Sequence, residues 1–285
     1  MKCVTRKTKQ TLVVMTLALA SCRGPMQAPT PTPEVVPLYF VSTSSTHPLL
    51  WDLTTVYSRD NELIAIIDQN STGITLQQAL DHPNATTAYA ITHQLPDMDD
   101  FWAAPLGQDG IAIITHPNLT AIHSLSAEDL RAIFTGTAQN WSEFNGPNLR
   151  IIVVSREATS PIRGAFENQV LGQRPMTLRA RLATTANAMH DIVAQTPGAI
   201  GFISMAQADQ EVRVVPLIPQ TGLAPVFPTP HSVFDATYPL RLPILVIGNH
   251  APQPEDGYYE FILWAQQAEG QAIIAQYYAP LRDLQ

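Results

Sequence analysis

From about residue 38 onward, short apolar runs alternate with helix-patterned segments, and this alternation restricts the fold more than any other feature. Residues 38–41, 88–91, 110–115, 151–154, 200–203, 212–216 and 242–247 read as strands. The uninterrupted apolar run 63–67 has the pattern of a strand buried on both faces. Helical spacing covers 49–57, 74–80, 188–195 and the segment 258–278, read as a helix pair softened at Gly270. A further helix is expected from Pro161. The clearest helix begins at Ser126, where Asp129 three residues on completes a capping-box pattern. Leu130, Ile133 and Phe134 give its apolar face, and Gly136 ends it. A chain that alternates in this way predicts an α/β fold with mainly parallel strands.

The N-terminus has a different character. Lys2, Arg6, Lys7 and Lys9 precede an uncharged apolar stretch, 11–20, that is too short to span a bilayer as a helix of roughly 20 residues. This is the pattern of a secretory signal. It ends in Leu19-Ala20-Ser21-Cys22, which resembles the lipobox of bacterial lipoproteins, in which the cysteine carries the lipid; the alternative is an ordinary signal peptide with a chance cysteine. Residues 1–21 are therefore expected to be a signal peptide, Cys22 a lipidation site, and the proline-rich stretch 22–36 a semi-rigid spacer that holds the domain off the membrane. The only other cysteine, Cys3, lies within the signal, so the processed chain has no disulfide and rests on its core. Removing the four basic residues of the signal leaves 12 basic against 24 acidic residues, a net charge of −12, and every lysine goes with it. That excludes a lysine Schiff base and a P-loop lysine. It also argues against nucleic acid, whose phosphate backbone requires a basic footprint.

Ligands of open α/β sheets sit beyond the carboxyl ends of the strands. Two strand-to-helix loops are rich in hydroxyls: 42–46, with five consecutive Ser and Thr residues, and 155–160. Hydroxyls beside exposed helix N–H groups make an anion site, and they also serve as ordinary N-caps. Both uses stay open from the residues alone. Catalysis has no support: the sequence has no Gly-x-Ser-x-Gly elbow and no His-Glu-x-x-His. Asp99-Asp100 and Glu128-Asp129 have turn and helix-start explanations, and the histidine spacings give no metal site. No cofactor is expected.

Leu130-Arg131-Ala132-Ile133-Phe134-Thr135-Gly136, Asn140-Trp141-Ser142-Glu143, Gly146-Pro147-Asn148-Leu149 and Ile152-Val153-Val154-Ser155-Arg156-Glu157 together resemble the phosphate-binding (PstS-like) family of ABC-importer solute-binding proteins. Gln108-Asp109-Gly110, Pro197-Gly198-Ala199-Ile200-Gly201-Phe202, Tyr238-Pro239-Leu240 and Glu269-Gly270-Gln271-Ala272-Ile273 agree, colinear from about residue 38 to the end. The resemblance implies the two-lobed type II periplasmic-binding-protein fold, with residues 37–114 plus 204–285 as lobe 1, 115–203 as lobe 2, and hinge closure around a ligand in the cleft. It implies a small anion (phosphate or a related oxyanion) as ligand, an ABC permease as partner, attachment to the outer face of the cytoplasmic membrane, and a monomer.

The same resemblance assigns ligand contacts to Thr43, Ser44, Ser45, Thr92, Asp109, Arg156, Thr159 and Ser160. The chain departs from the family's Ser-Arg-x-x-Gly-Ser-Gly-Thr-Arg loop, which here reads Ser155-Arg156-Glu157-Ala158-Thr159-Ser160-Pro161-Ile162-Arg163. Ser155, Arg156, Ser160 and Arg163 match it and Thr159, Pro161 and Ile162 do not; Pro161 removes a backbone donor and Ile162 a hydroxyl. His93 stands where the family has a polar turn with an acceptor; histidine cannot serve as the same charged acceptor, and the plainer reading is a surface or core residue. Each lost partner in a desolvated anion site costs about 1–3 kcal/mol. The departures therefore keep a second possibility in view: a diverged lipoprotein that binds another solute, or acts as a sensor or surface protein.

Overall fold

The computed structural model describes residues 35–62, 64–68, 89–95 and 100–283. The expected signal, Cys22, nearly all of the spacer and the helix expected over 74–80 lie outside those residues. β1 (Val36–Ser42) buries Leu38, Phe40 and Val41 and lies parallel between β2 (Ile64–Asp68) and β3 (Tyr89–Thr92). Between β1 and β2 runs α1 (His47–Asp60), longer than the expected 49–57, which sets Leu49, Leu50, Leu53 and Tyr57 into the core. β2 is not the buried strand that its apolar run implied. Among the described residues it stands at the end of the sheet with β1 as its one partner, and Ile67 is 38 % exposed.

The centre of the sheet is β4 (Trp102–Thr115), fourteen residues long where only 110–115 was expected. Its first part pairs antiparallel with β11 (Arg241–Gly248) and β12 (Ala279–Pro280), and β11 also runs antiparallel to β3. The last five residues of β4 pair antiparallel with β8 (Ala199–Ser204), and 113–115 also pair with β9 (Arg213–Val215). β8 continues in parallel to β6 (Ile152–Arg156) and β6 to β7 (Arg181–Ala183). The sheet order is β2-β1-β3-β11-β4-β8-β6-β7. Both wings are thus parallel, as the βα alternation predicts, but the centre is antiparallel. There β11 inserts against the chain direction, and β4 enters the second wing opposed to β8. Short β5 (Leu125–Ser126) and β10 (Leu217–Ile218) form a separate parallel pair. Residues 213–218 therefore pair with the second wing, although everything from 204 onward was expected in the first lobe.

The second wing is built around α2 (Ala127–Thr135). The Ser126 hydroxyl accepts from the Asp129 N–H at 3.1 Å and the Asp129 carboxylate accepts from the Ser126 N–H at 2.8 Å, so the capping box forms as expected. Gly136 closes the helix in the left-handed region at φ 80°. Phe134 on its buried face packs against Phe166 and Phe202, with ring centroids 4.6 and 5.7 Å away. Phe166 ends α3 (Pro161–Phe166), which continues as a π-helical turn over Glu167–Leu171. α4 (Ala186–Gln195), capped by Thr185, leads into β8. In the first wing α5 (Pro230–Phe234) precedes β11, and α6 (Gly257–Gln266) and α7 (Ala268–Ile274) follow it. The break in this last pair falls at Gln267, not at Gly270. Gly270 is buried inside α7, where a Cβ would lie 2.4 Å from the Ala265 Cα, so its role is close approach rather than softening. Among the described residues no helix is long and apolar enough to cross a membrane.

The β4–β11 ladder slips by one residue: Ile244 faces Gly107 while Leu245 faces Pro105. Leu106 is the extra residue of this bulge, beside a proline that has no N–H to give the ladder. The Leu106 carbonyl is satisfied from outside the sheet by Gln271 Nε2 at 2.9 Å. The same amide, fully buried, donates to the Ala265 carbonyl at 2.8 Å and accepts from the Leu281 N–H at 2.7 Å. One side chain therefore ties the bulge, the end of α6 and the C-terminal segment together. Gln271→Met keeps the volume and removes all three bonds. Urea denaturation is expected to show a loss of about 2–5 kcal/mol, the scale of buried polar groups left without partners.

Candidate functional site

The carboxyl ends of β1, β3 and β6 carry the loops that the sequence marked, and the fold brings several of them together with the turn after β8. Ser44, in the loop after β1, is the meeting point. Its hydroxyl accepts from Arg156 Nη2 at 2.9 Å, and its carbonyl accepts from Gln207 Nε2 at 2.9 Å. Arg156 ends β6 and Gln207 lies in the 3-10 turn Met205–Gln207 that follows β8. The loop after β1 is thus bonded to the end of β6 in the second wing and to the turn that follows β8.

Arg156 is 2 % exposed. Its Nε and Nη2 donate to the Glu157 carboxylate at 2.9 and 2.8 Å, which balances the buried charge. The remaining nitrogen, Nη1, is buried and has no hydrogen-bond partner among the described residues. A buried guanidinium N–H without an acceptor costs more than an ordinary missing bond, because the group is charged. The second arginine of this loop is consumed internally: Arg163 donates from Nη1 to the Arg156 carbonyl at 2.8 Å and from Nε to Glu167 at 2.8 Å.

The hydroxyls divide between two uses. Ser160 is buried and caps α3, accepting from the Arg163 N–H at 3.4 Å, so the capping alternative holds there. Pro161 takes the first helical turn. Thr159 is exposed at the surface of the loop. In the first loop the capping alternative fails. Thr46 stands at the N-cap of α1 but makes no capping bond. It is 1 % exposed and donates to the Ile91 carbonyl at 2.7 Å, fastening the loop to β3. The Thr43 N–H donates to Thr46 Oγ1 at 3.0 Å, and Ser45 is buried beside them. Ser42 donates to Asp68 at 2.6 Å, and His47 contacts the same carboxylate through Nδ1. Thr92 is buried at the end of β3, its hydroxyl accepting from the Gln94 N–H at 3.2 Å.

Asp109 and His93 face one another in the core. Both side chains are fully buried, with His93 Nε2 3.1 Å from Asp109 Oδ2 in an orientation too oblique for a hydrogen bond. The other Asp109 oxygen accepts from the Gly110 N–H at 2.7 Å. His93 is thus a core residue against a carboxylate. Burial first, and the Asp109 charge second, push the Tyr238 and Tyr278 hydroxyls far above their ordinary pKa.

Gln207 and Glu157 were not among the expected site residues. No sequence pattern marks Gln207, since its contact depends on where β8 ends relative to β1. Glu157 was legible as the neighbour of Arg156 but carried no motif weight. α3 and the turn after β3 also approach one another: a Cβ on Gly164 would lie 3.6 Å from Gln94 Oε1. Among the described residues, one group brings three metal-ligating side chains within 4.8 Å of one another: His190, Asp209 and Glu211. His190 Nε2 is already engaged with Asp209 at 2.7 Å.

Thr46→Val is isosteric and strands the buried Ile91 carbonyl. Its expected cost is about 1–3 kcal/mol in urea denaturation, with no change in the helical signal.

Comparison with known proteins agrees with this architecture. A family model described as a PBP superfamily domain matches residues 28–269. The phosphate-binding protein PstS of Bacillus subtilis (strain 168) is 32 % identical over 98 residues, 34 % of this chain and 32 % of that protein. PstS of Staphylococcus aureus (strain USA300) is 24 % identical over 173 residues, 59 % of this chain and 52 % of that protein. The matched stretches therefore span about a third to a half of these relatives. A Clostridium perfringens structure, described as a phosphate ABC transporter substrate-binding protein with bound phosphate, superposes with a TM-score of 0.75 at 24 % identity and covers 87 % of this chain and 100 % of that one. These relatives are described as binding proteins. With the family model spanning most of its length, the chain belongs to the PBP superfamily and has the type II periplasmic-binding-protein fold.

Proposed function

We propose that the chain is an extracytoplasmic solute-binding protein of an ABC importer that holds phosphate or a related oxyanion between two lobes. The lobes are 37–114 plus 204–285 and 115–203, with 213–218 assigned to the second on the strength of its pairing. The observation that carries this reading is the unpartnered Arg156 Nη1, buried in the loop that Ser44 bridges. An oxyanion is the natural acceptor for such a nitrogen, and a guanidinium presents donors in the geometry that a tetrahedral or planar anion accepts. Thr43, Ser44, Ser45 and Thr92 then supply hydroxyls from the first lobe, and Thr159 and Ser160 from the second, while Asp109 acts from behind as a buried charge. Hinge opening breaks the Ser44–Arg156 bond, while the Gln207–Ser44 bond stays within the first lobe. The signal 1–21, lipidation at Cys22 and the 22–36 spacer complete the proposal by tethering a monomer beside its permease.

A second reading keeps the fold and changes the ligand, making the protein a diverged lipoprotein for another solute, or a sensor or surface protein. Glu157 already occupies two nitrogens of Arg156, and His93 takes the place of an acceptor while turned to Asp109. Both features weaken a site for an ordinary phosphate.

Isothermal titration of the delipidated protein with phosphate, sulfate and molybdate separates the two. Heat with at least one oxyanion is expected, and Arg156→Gln should weaken that binding about 10- to 150-fold, the worth of a charge-assisted hydrogen bond of about 1.5–3 kcal/mol. Absence of heat with all three anions removes the oxyanion reading and leaves the second.

A further inference from the structure

A cavity of about 410 Å³ lies in the second wing at the amino-terminal ends of β6 and β7, the opposite end of these strands from the Ser44–Arg156 contact. Its wall carries Arg150, Arg179 and Arg181, with Gln139, Thr177 and the apolar Ile133. These are three of the twelve arginines that follow Cys22 in a strongly acidic chain, and no carboxylate lines the cavity.

The three guanidinium groups differ from those of the cleft. Arg156 and Arg163 are each neutralised by a glutamate at 2.8 Å. Among the described residues none of the cavity arginines has an ion pair. Arg179 Nη1 donates to Gln139 Oε1 at 3.2 Å and Arg181 Nη1 to Thr196 Oγ1 at 3.2 Å. Both acceptors are neutral, so they orient the guanidinium groups without cancelling their charge. Glu143, beside Gln139 in sequence, has a carboxylate oxygen held by the N–H groups of Gln139 and Asn140. Each guanidinium has five N–H donors, so most remain free for a ligand. Gathering three like charges around one hollow disfavours the folded chain, and an anion bound among them reverses that effect.

From this we infer that the cavity is a second anion site, for a soluble multivalent anion of the oligophosphate class. The charge calls for more than one anionic group. The volume falls in the range of small-molecule pockets, about 300–1,000 Å³, where orthophosphate alone leaves most of the space to water. Arg150 lies six residues before Arg156, about 20 Å along the strand at ~3.3 Å per residue, so the site is separate from the cleft and does not depend on what the cleft binds.

Isothermal titration with inorganic tripolyphosphate tests the inference, using the purified chain, the double variant Arg179→Gln/Arg181→Gln, and Arg156→Gln. The expected result is binding of one tripolyphosphate that weakens at least 10-fold in the double variant, is unchanged in Arg156→Gln, and falls steeply as salt is raised. A thermal melt of the double variant matching the parent keeps the loss from being read as unfolding. The inference is overturned if tripolyphosphate gives no heat, if the double variant binds it as the parent does, or if Arg156→Gln abolishes binding and so places it in the cleft.

Discussion

The architecture depends on β4 changing its partners midway. Up to Gly110 it is laddered to β11, and from Ile111 to Thr115 it is laddered to β8 and β9. Ile111, Ala112, Ile113 and Ile114 are all fully buried, so this change of partner happens inside the core. One strand therefore belongs to both wings and fixes where the carboxyl ends of β1 and β3 stand relative to those of β6 and β8. The Tyr238 hydroxyl reinforces the same point by donating to the Ile111 carbonyl at 2.7 Å. The bulge at Leu106 and its Gln271 bracket settle the register just before the change, which is why a residue far from the site bears on the site's geometry.

Given that frame, the site reduces to a question of charge. A buried arginine with two nitrogens on Glu157, one of these also on Ser44, and a third without a partner is a compromise between stability and binding. Glu157 neutralises the buried guanidinium, and on the proposed function it competes with any anion that arrives. The contacts from Ser44 to Arg156 and Gln207 are a charge-assisted and a neutral hydrogen bond, weak enough to be exchanged. On the proposed function, this is the profile expected of a cleft that opens and shuts.

Much of this was legible in the sequence where local chemistry decides. The Ser126–Asp129 capping box, the stop at Gly136 and the buried face of α2 follow from local chemistry, and they form as expected. Ser44 and Arg156, singled out by the resemblance, do meet. Long-range choices were not legible. The first half of β4 carries Pro105 and Gly107, which break strand periodicity, and only the bulge explains how they are accommodated. The run 63–67 is apolar enough for a central strand, yet sheet order puts β2 on the edge. His93 read as a surface or core residue without a choice between them, and its burial against Asp109 is set by packing across β3, β11 and β4. Gln207 had no signal because its role is created by where β8 ends.

Hydrogen exchange with and without phosphate measures the central claim most directly, because it locates the ligand without assuming which residue matters. The account predicts that phosphate slows amide exchange in residues 43–47, 92–94 and 156–164, on both sides of the Ser44–Arg156 contact. Exchange that is unchanged in all three segments, or slowed only around 136–153 and 177–181, contradicts it.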